Sequence, residues 1–214
     1  MDKGWGELLG AIHSRFVMGR RIQSLSKSMA KVIPDSSCLL DVGSGNGRLA
    51  AAVLVARPDL RIQGVDTLSW PEQFIPTKIY DGRSIPLDDN EVDFCIASDV
   101  LHHCENPVLL LREMLRVCSK GLVIKDHIAE TNVDKILLGF MDWAGNAGHG
   151  VALEYNYWPW SKWSSTFAEL ELEVEVMIQA LHLYPKPFTW VFDNKLHFLC
   201  LLRLTGVKNV LDDF

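Results

Sequence analysis

The chain has 214 residues and a formal net charge of −6, and 48% of its residues are hydrophobic while 22% are charged. This balance excludes a disordered chain, which combines low hydrophobicity with high charge, and it disfavours nucleic-acid binding, for which a basic surface is typical. No apolar run reaches the roughly 18 residues of a membrane span, and the length predicts a single domain.

The first 32 residues carry six basic and two acidic side chains, and Leu25, Met29 and Val32 recur at helical spacing. We therefore expect an amphipathic helix that ends before Pro34. Short apolar strands then alternate with helices. Strands are predicted at 38–42, 60–65, 78–80, 92–97 and 121–125, and helices at 48–56 and 106–117. This alternation predicts an α/β fold with a parallel sheet covered on both faces.

The last third of the chain departs from this alternation. Helices are predicted at 133–143 and 161–170, and strand-like runs at 172–181 and 195–204. Two late strands of this kind are expected to pair antiparallel at one edge of the sheet.

A glycine-rich loop, Asp41-Val-Gly43-Ser44-Gly45-Asn-Gly47, stands where the first strand turns into its helix. Glycines at this position let a ligand approach the backbone, and the helix start offers unpaired N–H groups. The dinucleotide fingerprint G-x-G-x-x-G would need its third glycine at Arg48. The tighter spacing and the preceding acid disfavour a pyrophosphate and favour a cofactor that bears a positive group.

Two further acids stand at the ends of predicted strands, Asp66 after the second strand and Asp81 after the third. The carboxyl ends of parallel strands meet at one sheet edge, where open α/β sheets bind ligands. A carboxylate at Asp66 is suited to accept both hydroxyls of a ribose. Each acid is also a plausible cap or turn residue.

Together, several segments resemble the class I S-adenosylmethionine-dependent methyltransferases, in particular small-molecule enzymes similar to quinone-biosynthesis methyltransferases. These segments are 41–48, Asp66, 81–93, and Val100-Leu-His-His103 followed by Asn106-Pro107. The likeness is close over 35–126. It implies a Rossmann-like three-layer sandwich with a mostly parallel sheet of about seven strands and an antiparallel strand at the edge.

The resemblance also implies cofactor contacts. The glycine loop would lie under the methionine moiety, Asp41 would face its amino group, and Asp66 would hold the ribose. Asp81 and Gly82 would border the adenine, and Ser98 the methionine. The implied set for S-adenosylmethionine is Asp41, Gly43, Ser44, Gly45, Gly47, Asp66, Asp81, Gly82 and Ser98.

Three histidines are candidate catalytic residues: His102, His127 and His149. His127 follows the fifth strand on the cofactor edge, and His149 lies in a glycine-rich loop. His102 is followed by His103 and Cys104, but adjacent helical residues point about 100° apart. A shared metal ion is therefore not expected, and the resemblance favours a packing role for this pair.

The prediction for function is methyl transfer from S-adenosylmethionine to a small molecule, at oxygen. An S-adenosylmethionine-binding module without transfer activity is the alternative. A nicotinamide-dependent oxidoreductase is disfavoured by the missing third glycine and the lack of a Tyr-x-x-x-Lys pair. Methylation of nucleic-acid bases is disfavoured because Ser98-Asp-Val-Leu101 replaces the Asn/Asp-Pro-Pro-Tyr typical of such enzymes.

The chain is expected to divide into an N-terminal helical lid at 1–34, a cofactor-binding half at 35–126 and an acceptor-side half at 127–214. The N-terminal segment has a second interpretation, a helix that contacts a membrane surface. Its apolar residues are spaced for one helical face: Trp5, Leu8, Leu9, Ile12 and Phe16. The sequence indicates no oligomeric state. Five cysteines without C-x-x-C spacing and the lack of a signal-like N-terminus predict reduced thiols and a cytoplasmic location.

Aromatic residues are concentrated late in the chain. Five of the seven tryptophans lie between Trp143 and Trp190, and 140–192 holds 12 of the 20 aromatic residues. We call 140–192 the aromatic segment. Its Tyr155-Asn-Tyr-Trp-Pro-Trp160 run either packs on the sheet or forms a wall of the acceptor pocket.

Overall fold

The computed structural model describes residues 18–146, 154–184 and 195–205. Within these ranges the strands form one seven-stranded sheet in the order β3-β2-β1-β4-β5-β7-β6. The strands are β1 Cys38–Val42, β2 Arg61–Asp66, β3 Thr77–Ile79, β4 Val92–Ser98, β5 Cys118–His127, β6 Leu172–Ile178 and β7 His197–Leu204. The helices are α1 Gly19–Val32, α2 Arg48–Ala56, α3 Pro107–Val117, α4 Asn132–Asn146 and α5 Trp160–Glu169.

The sheet is parallel from β3 to β5, and β7 pairs antiparallel with both β5 and β6. The predicted fold class is therefore confirmed, including the antiparallel strands at the edge. Strand order changes direction at β1, which lies between β2 and β4. In open α/β sheets, ligands bind outside the carboxyl ends of the strands at such a point.

Helices cover both faces of the sheet. Leu25 and Met29 of α1 join Val53 of α2 in one buried cluster, and Leu111 of α3 joins Trp163 of α5 in the other. Leu138 of α4 packs with Tyr157 and Leu196 in a smaller third cluster. The sequence therefore folds into the three expected layers, because each helix buries one apolar face.

Local sequence accounts for the helix starts near the site. Pro107 occupies the first turn of α3, and the Asn106 side chain accepts a hydrogen bond from the Leu109 N–H at 3.3 Å. Gly47 precedes α2 with a φ of 80°, a left-handed conformation that suits glycine.

Strand β5 is longer than the prediction of 121–125. Lys125, Asp126 and His127 belong to the strand, and His127 pairs with His197 of β7. The hydrophobic pattern of the sequence ends before these three residues because their side chains are polar. Their burial cannot be predicted from polarity alone.

Candidate active site

A cavity of about 420 Å³ opens at the carboxyl ends of β1, β2 and β4. This volume lies within the usual range of small-molecule sites. Gly43, Gly45 and Asp66 contribute to one part of its wall, and Asp99 and His103 to another. The remaining lining residues are Thr67, Leu68, Trp70, Tyr80, Gly82, Val100, Cys104 and Leu110.

The glycine loop is held close to the sheet. Gly43 and Gly45 have φ values of 69° and 58°, where other residues are strained. A Cβ at Gly43 would lie 2.6 Å from Val100 Cγ2, whereas a Cβ at Gly45 would meet no atom within 4 Å. The loop thus packs against Val100 and leaves open space beside Gly45, as a bound cofactor requires.

Asp66, the last residue of β2, is buried and fixes the loop. Its Oδ2 accepts a hydrogen bond from the Gly45 N–H at 2.7 Å, and its Oδ1 accepts one from the Leu68 N–H at 2.8 Å. A carboxylate has about four acceptor positions, so these two bonds leave room for ribose hydroxyls. Asp66 therefore combines a loop-fixing role with a place in the cavity wall.

Asp41 is buried in β1 near Asp66. Burial, reinforced by the charge of Asp66, raises the pKa of Asp41 to about 7. A nearby cation such as an ammonium group would lower this pKa again, since opposite charges favour the ionised form.

Asp81 forms a turn. Its Oδ1 accepts hydrogen bonds from the Arg83 and Ser84 N–H groups, both at 2.8 Å, and these bonds lower the pKa of the exposed carboxyl. The neighbours Tyr80 and Gly82 contribute to the cavity wall. At the end of β4 the wall is formed by Asp99 and Val100, directly after the expected Ser98.

Asp99 connects the cavity to a buried ionic cluster. It has a φ of 59°, an unusual conformation for a residue other than glycine. Its carboxylate forms ion pairs with Arg21 of α1 and Lys125 of β5. Burial opposes ionisation, but these two cations hold the pKa of Asp99 well below its usual range. Arg21 also donates a hydrogen bond to the Tyr184 hydroxyl at 3.3 Å.

Asp126 organises the histidines behind the cavity. Its Oδ1 lies 2.6 Å from His102 Nδ1 and 3.3 Å from His127 Nδ1, and its Oδ2 accepts the Leu101 N–H. The two Nδ1 atoms are 3.3 Å apart. The structure therefore brings the predicted residues His102 and His127 together on one carboxylate.

The two histidines have opposite pKa shifts. Burial lowers the pKa of His102, but Asp126 and Asp142 more than offset this and raise it to about 10. Burial and the charges of Lys125 and His102 lower the pKa of His127 to about 4. One ring is therefore cationic and the other neutral at pH 7.

Asp142 and His197 are among the residues of this region that were not predicted. Asp142 of α4 lies 3.3 Å from His102 Nε2 and accepts a hydrogen bond from the Tyr157 hydroxyl. His197 of β7 is buried with its Nδ1 3.5 Å from Lys125 Nζ. In sequence Asp142 looks like an ordinary polar residue of an amphipathic helix. The one sequence signal for His197 was its position as a histidine within the apolar strand predicted at 195–204.

Some residues of the Tyr155–Trp160 run pack on the sheet, and others reach the candidate site. Trp158 is buried against Trp163, whose Nε1–H donates to the His127 carbonyl at 3.0 Å. Asn156 donates through Nδ2 to the Cys104 carbonyl at 2.6 Å, which ties the run to the turn containing His102 and His103. The tryptophans thus pack on the sheet, while Tyr157 reaches the ionic cluster.

Some predicted features lie outside the described residues. These are His149, the apolar residues of 1–17 in the N-terminal lid, and the part of the aromatic segment from 185 to 192. All five cysteines are described and free of disulfides. Within the described ranges, no helix is long and apolar enough to cross a membrane.

The chain is similar to known methyltransferases in sequence. Residues 40–124 match the family described as a methyltransferase domain. An uncharacterized methyltransferase of Mycobacterium ulcerans is 36% identical over 39% of this chain and 35% of its own length. One from Mycobacterium bovis is 30% identical over 57% of this chain and 46% of its own. The chain thus spans less than half the length of these relatives.

Solved structures share the fold at low identity. A chain from the complex between the Haloferax volcanii Trm112 methyltransferase activator and a putative methyltransferase superposes with a TM-score of 0.63 at 15% identity, covering 95% of this chain and 94% of that one. A SAM-dependent methyltransferase from Aquifex aeolicus gives a TM-score of 0.58 at 15% identity, covering 95% and 99%. Residues 40–124 thus match a methyltransferase domain whose glycine loop borders the cavity, and these solved structures share the fold of the described residues.

Proposed function

We propose that the protein transfers a methyl group from S-adenosylmethionine to an oxygen of a small polar molecule. The observation that carries the proposal is the cavity itself. Its wall combines Gly43, Gly45 and Asp66, suited to the cofactor, with Asp99 and His103, which adjoin a buried cluster of acids and histidines.

S-adenosylmethionine would supply a methyl group on a sulfonium, which is already a good leaving group. The residues of this chain then have two tasks. The glycine loop and Asp66 bind and orient the cofactor, and Asp41 faces its amino group. The residues of the acceptor side hold a nucleophile in line with the methyl group, and such positioning supplies on the order of 7–11 kcal/mol.

Methylation at oxygen releases a proton, and proton acceptors lie on the acceptor side. His103 is in the cavity wall, and the neutral His127 lies behind it on Asp126, beside the cationic His102. We propose that His127 and His102 serve the reaction from this position, together with His149. A nitrogen acceptor that is already unprotonated at pH 7 would have less need of this cluster.

The test is a transfer assay with paired acceptors. Hydroxylated compounds, including sugars and phenols, are each compared with the matching methyl ether, and S-adenosylhomocysteine release is measured. We expect release with a hydroxyl compound and none with its ether. His127→Gln should lower kcat at least ten-fold while leaving cofactor affinity within two-fold.

The control is His182→Gln, which changes an exposed histidine. Cofactor binding without release of S-adenosylhomocysteine in the presence of any acceptor would favour the alternative, an S-adenosylmethionine-binding module without transfer activity. Release from amines but not from hydroxyl compounds would contradict the proposed acceptor atom.

A further inference from the structure

We propose that His102, His103 and Asp142 form a binding site for a divalent transition-metal ion, of the class of Zn²⁺ or Fe²⁺. Their ligand atoms lie within 4.8 Å of one another, and His102 is buried. Two histidines and one carboxylate are a donor set that such ions bind in proteins.

His102 is oriented as a metal-bound histidine is. Its Nδ1 lies 2.6 Å from the Asp126 carboxylate, which leaves Nε2 for a second partner. Nε2 is buried and faces Asp142 Oδ2 at 3.3 Å, an ion-pair contact that a bound metal ion would replace as the ring loses its proton. Metal-bound histidines usually donate their other ring N–H to a carboxylate in this way.

His103 supplies an unpaired nitrogen. Its Nδ1 is buried and has no hydrogen-bond partner among the described residues. The rings of His102 and His103 are 3.9 Å apart between centroids, tilted by 50°. The unpaired Nδ1 of His103 is costly without a bound group, since a buried unpaired polar atom costs about 1–3 kcal/mol.

The expectation that adjacent histidines cannot share a metal assumed a regular helix with Cys104 as the third ligand. His102 and His103 instead lie in a short 3₁₀ turn, Leu101–His103, and α4 contributes Asp142. The Cys104 thiol donates to the Val100 carbonyl at 3.5 Å. The third ligand thus comes from a distant part of the chain.

A neighbouring trio, His102, Asp126 and His127, fits a proton network better than a metal. Its close contacts use His102 Nδ1, which is already hydrogen-bonded to Asp126. Asp126 also accepts backbone N–H groups from Leu101 and His127. These atoms are satisfied, whereas His103 Nδ1 is not.

The metal site adjoins the cavity, because His103 lines it. Around a tetrahedral ion three protein ligands leave one position open, as in catalytic sites. That position suits an oxygen of the acceptor. This last role rests on the proposed function, but binding of the ion does not.

The test is titration of the chelator-treated, untagged protein with ZnCl₂ by calorimetry, with elemental analysis of the dialysed complex. We expect one equivalent of zinc. Asp142→Asn and His103→Gln should each weaken binding at least ten-fold. Asp126→Asn, which alters the carboxylate partner of His102 but none of the three ligands, should weaken binding by about 10–100-fold. His182→Gln, an exposed histidine, should leave it unchanged.

Circular dichroism checks that each variant is folded, and the wild-type stoichiometry tests the site without any variant. The proposal would be overturned if the wild type bound no stoichiometric zinc, or if Asp142→Asn and His103→Gln both bound zinc as tightly as the wild type. S-adenosylmethionine titration of the same metal-free samples tests the cofactor site separately, so failure of one proposal is distinguishable from failure of the other.

Discussion

Asp41 shows how a single buried carboxyl can respond to a cofactor. Its pKa is raised to about 7, first by burial and then by Asp66. Because the pKa is raised in the folded state, the ionised carboxylate destabilises the free protein as the pH rises through about 7. A bound ammonium group would relieve this cost.

We therefore predict that S-adenosylmethionine binds about ten-fold more tightly at pH 7.5 than at pH 5.5, because Asp41 is ionised only at the higher pH. Both values lie below the range of about 7.7–8.0 in which an α-amino group titrates. Calorimetric titration at the two pH values measures the change. Asp41→Asn should bind with nearly equal affinity at both, and a wild-type affinity independent of pH would contradict the role of Asp41.

At the same scale, sequence predicted the residues on the glycine-loop side of the cavity better than those on its histidine side. Gly43, Gly45 and Asp66 were predictable because their spacing and strand-end positions are set by local backbone geometry. Asp142 and Tyr157 were not, because their pairing depends on how α4 packs beside β5. His103 was considered only together with His102, yet it is the one of the two that lines the cavity.

At the scale of elements, strand β5 carries Lys125, Asp126 and His127 and depends on its pairing with β7. Gly121 has a φ of 150°, and a Cβ there would lie 2.0 Å from the Leu202 carbonyl oxygen. The two strands therefore approach each other more closely than a side chain at this position permits.

We predict that Gly121→Ala lowers the free energy of unfolding by at least about 2 kcal/mol, since the clash is with backbone and cannot be relieved by a side-chain rotation. Urea denaturation measures the difference. Gly19→Ala is the matched control, because a Cβ there meets no atom within 4 Å in α1. It should be neutral or stabilising by up to about 1 kcal/mol. Equal stability of Gly121→Ala and the wild type would contradict the described pairing.

The elements themselves were largely predictable. The predicted helix at 48–56 coincides with α2, and strand bounds differ by a few residues where side chains at the ends are polar. The exception is β5, which begins at Cys118 and continues through Asp126 and His127, beyond the predicted 121–125. Buried charges that satisfy one another break the hydrophobic pattern on which strand prediction depends.

At the scale of the whole molecule, an ionic cluster joins elements that are distant in sequence. Asp99, Asp126 and Asp142 supply three negative charges, and Arg21, Lys125 and His102 face them. The cluster connects α1, β4, β5 and α4 beside the cavity. These opposite charges fix the relative positions of the four elements, because each charged group would be costly to bury without its partner.

Arg21 attaches α1 to this cluster. We predict that Arg21→Met lowers the free energy of unfolding by about 2 kcal/mol, since it leaves Asp99 with one cation fewer in a partly buried site. Thermal denaturation followed by circular dichroism measures the loss. Arg20→Met, a change at the exposed neighbouring position, is the control and should have little effect. Equal melting temperatures for the two variants would show that the Arg21–Asp99 pair does not anchor α1.

The central claim is that the cavity beside the glycine loop binds S-adenosylmethionine. Its most direct test is calorimetric titration of the wild type and of Asp66→Ala with S-adenosylmethionine. We predict one site per chain with micromolar affinity in the wild type, and affinity at least ten-fold weaker in the variant, because Asp66 both fixes Gly45 and faces the cavity. No binding by the wild type at millimolar ligand, or undiminished binding by Asp66→Ala, would contradict the claim.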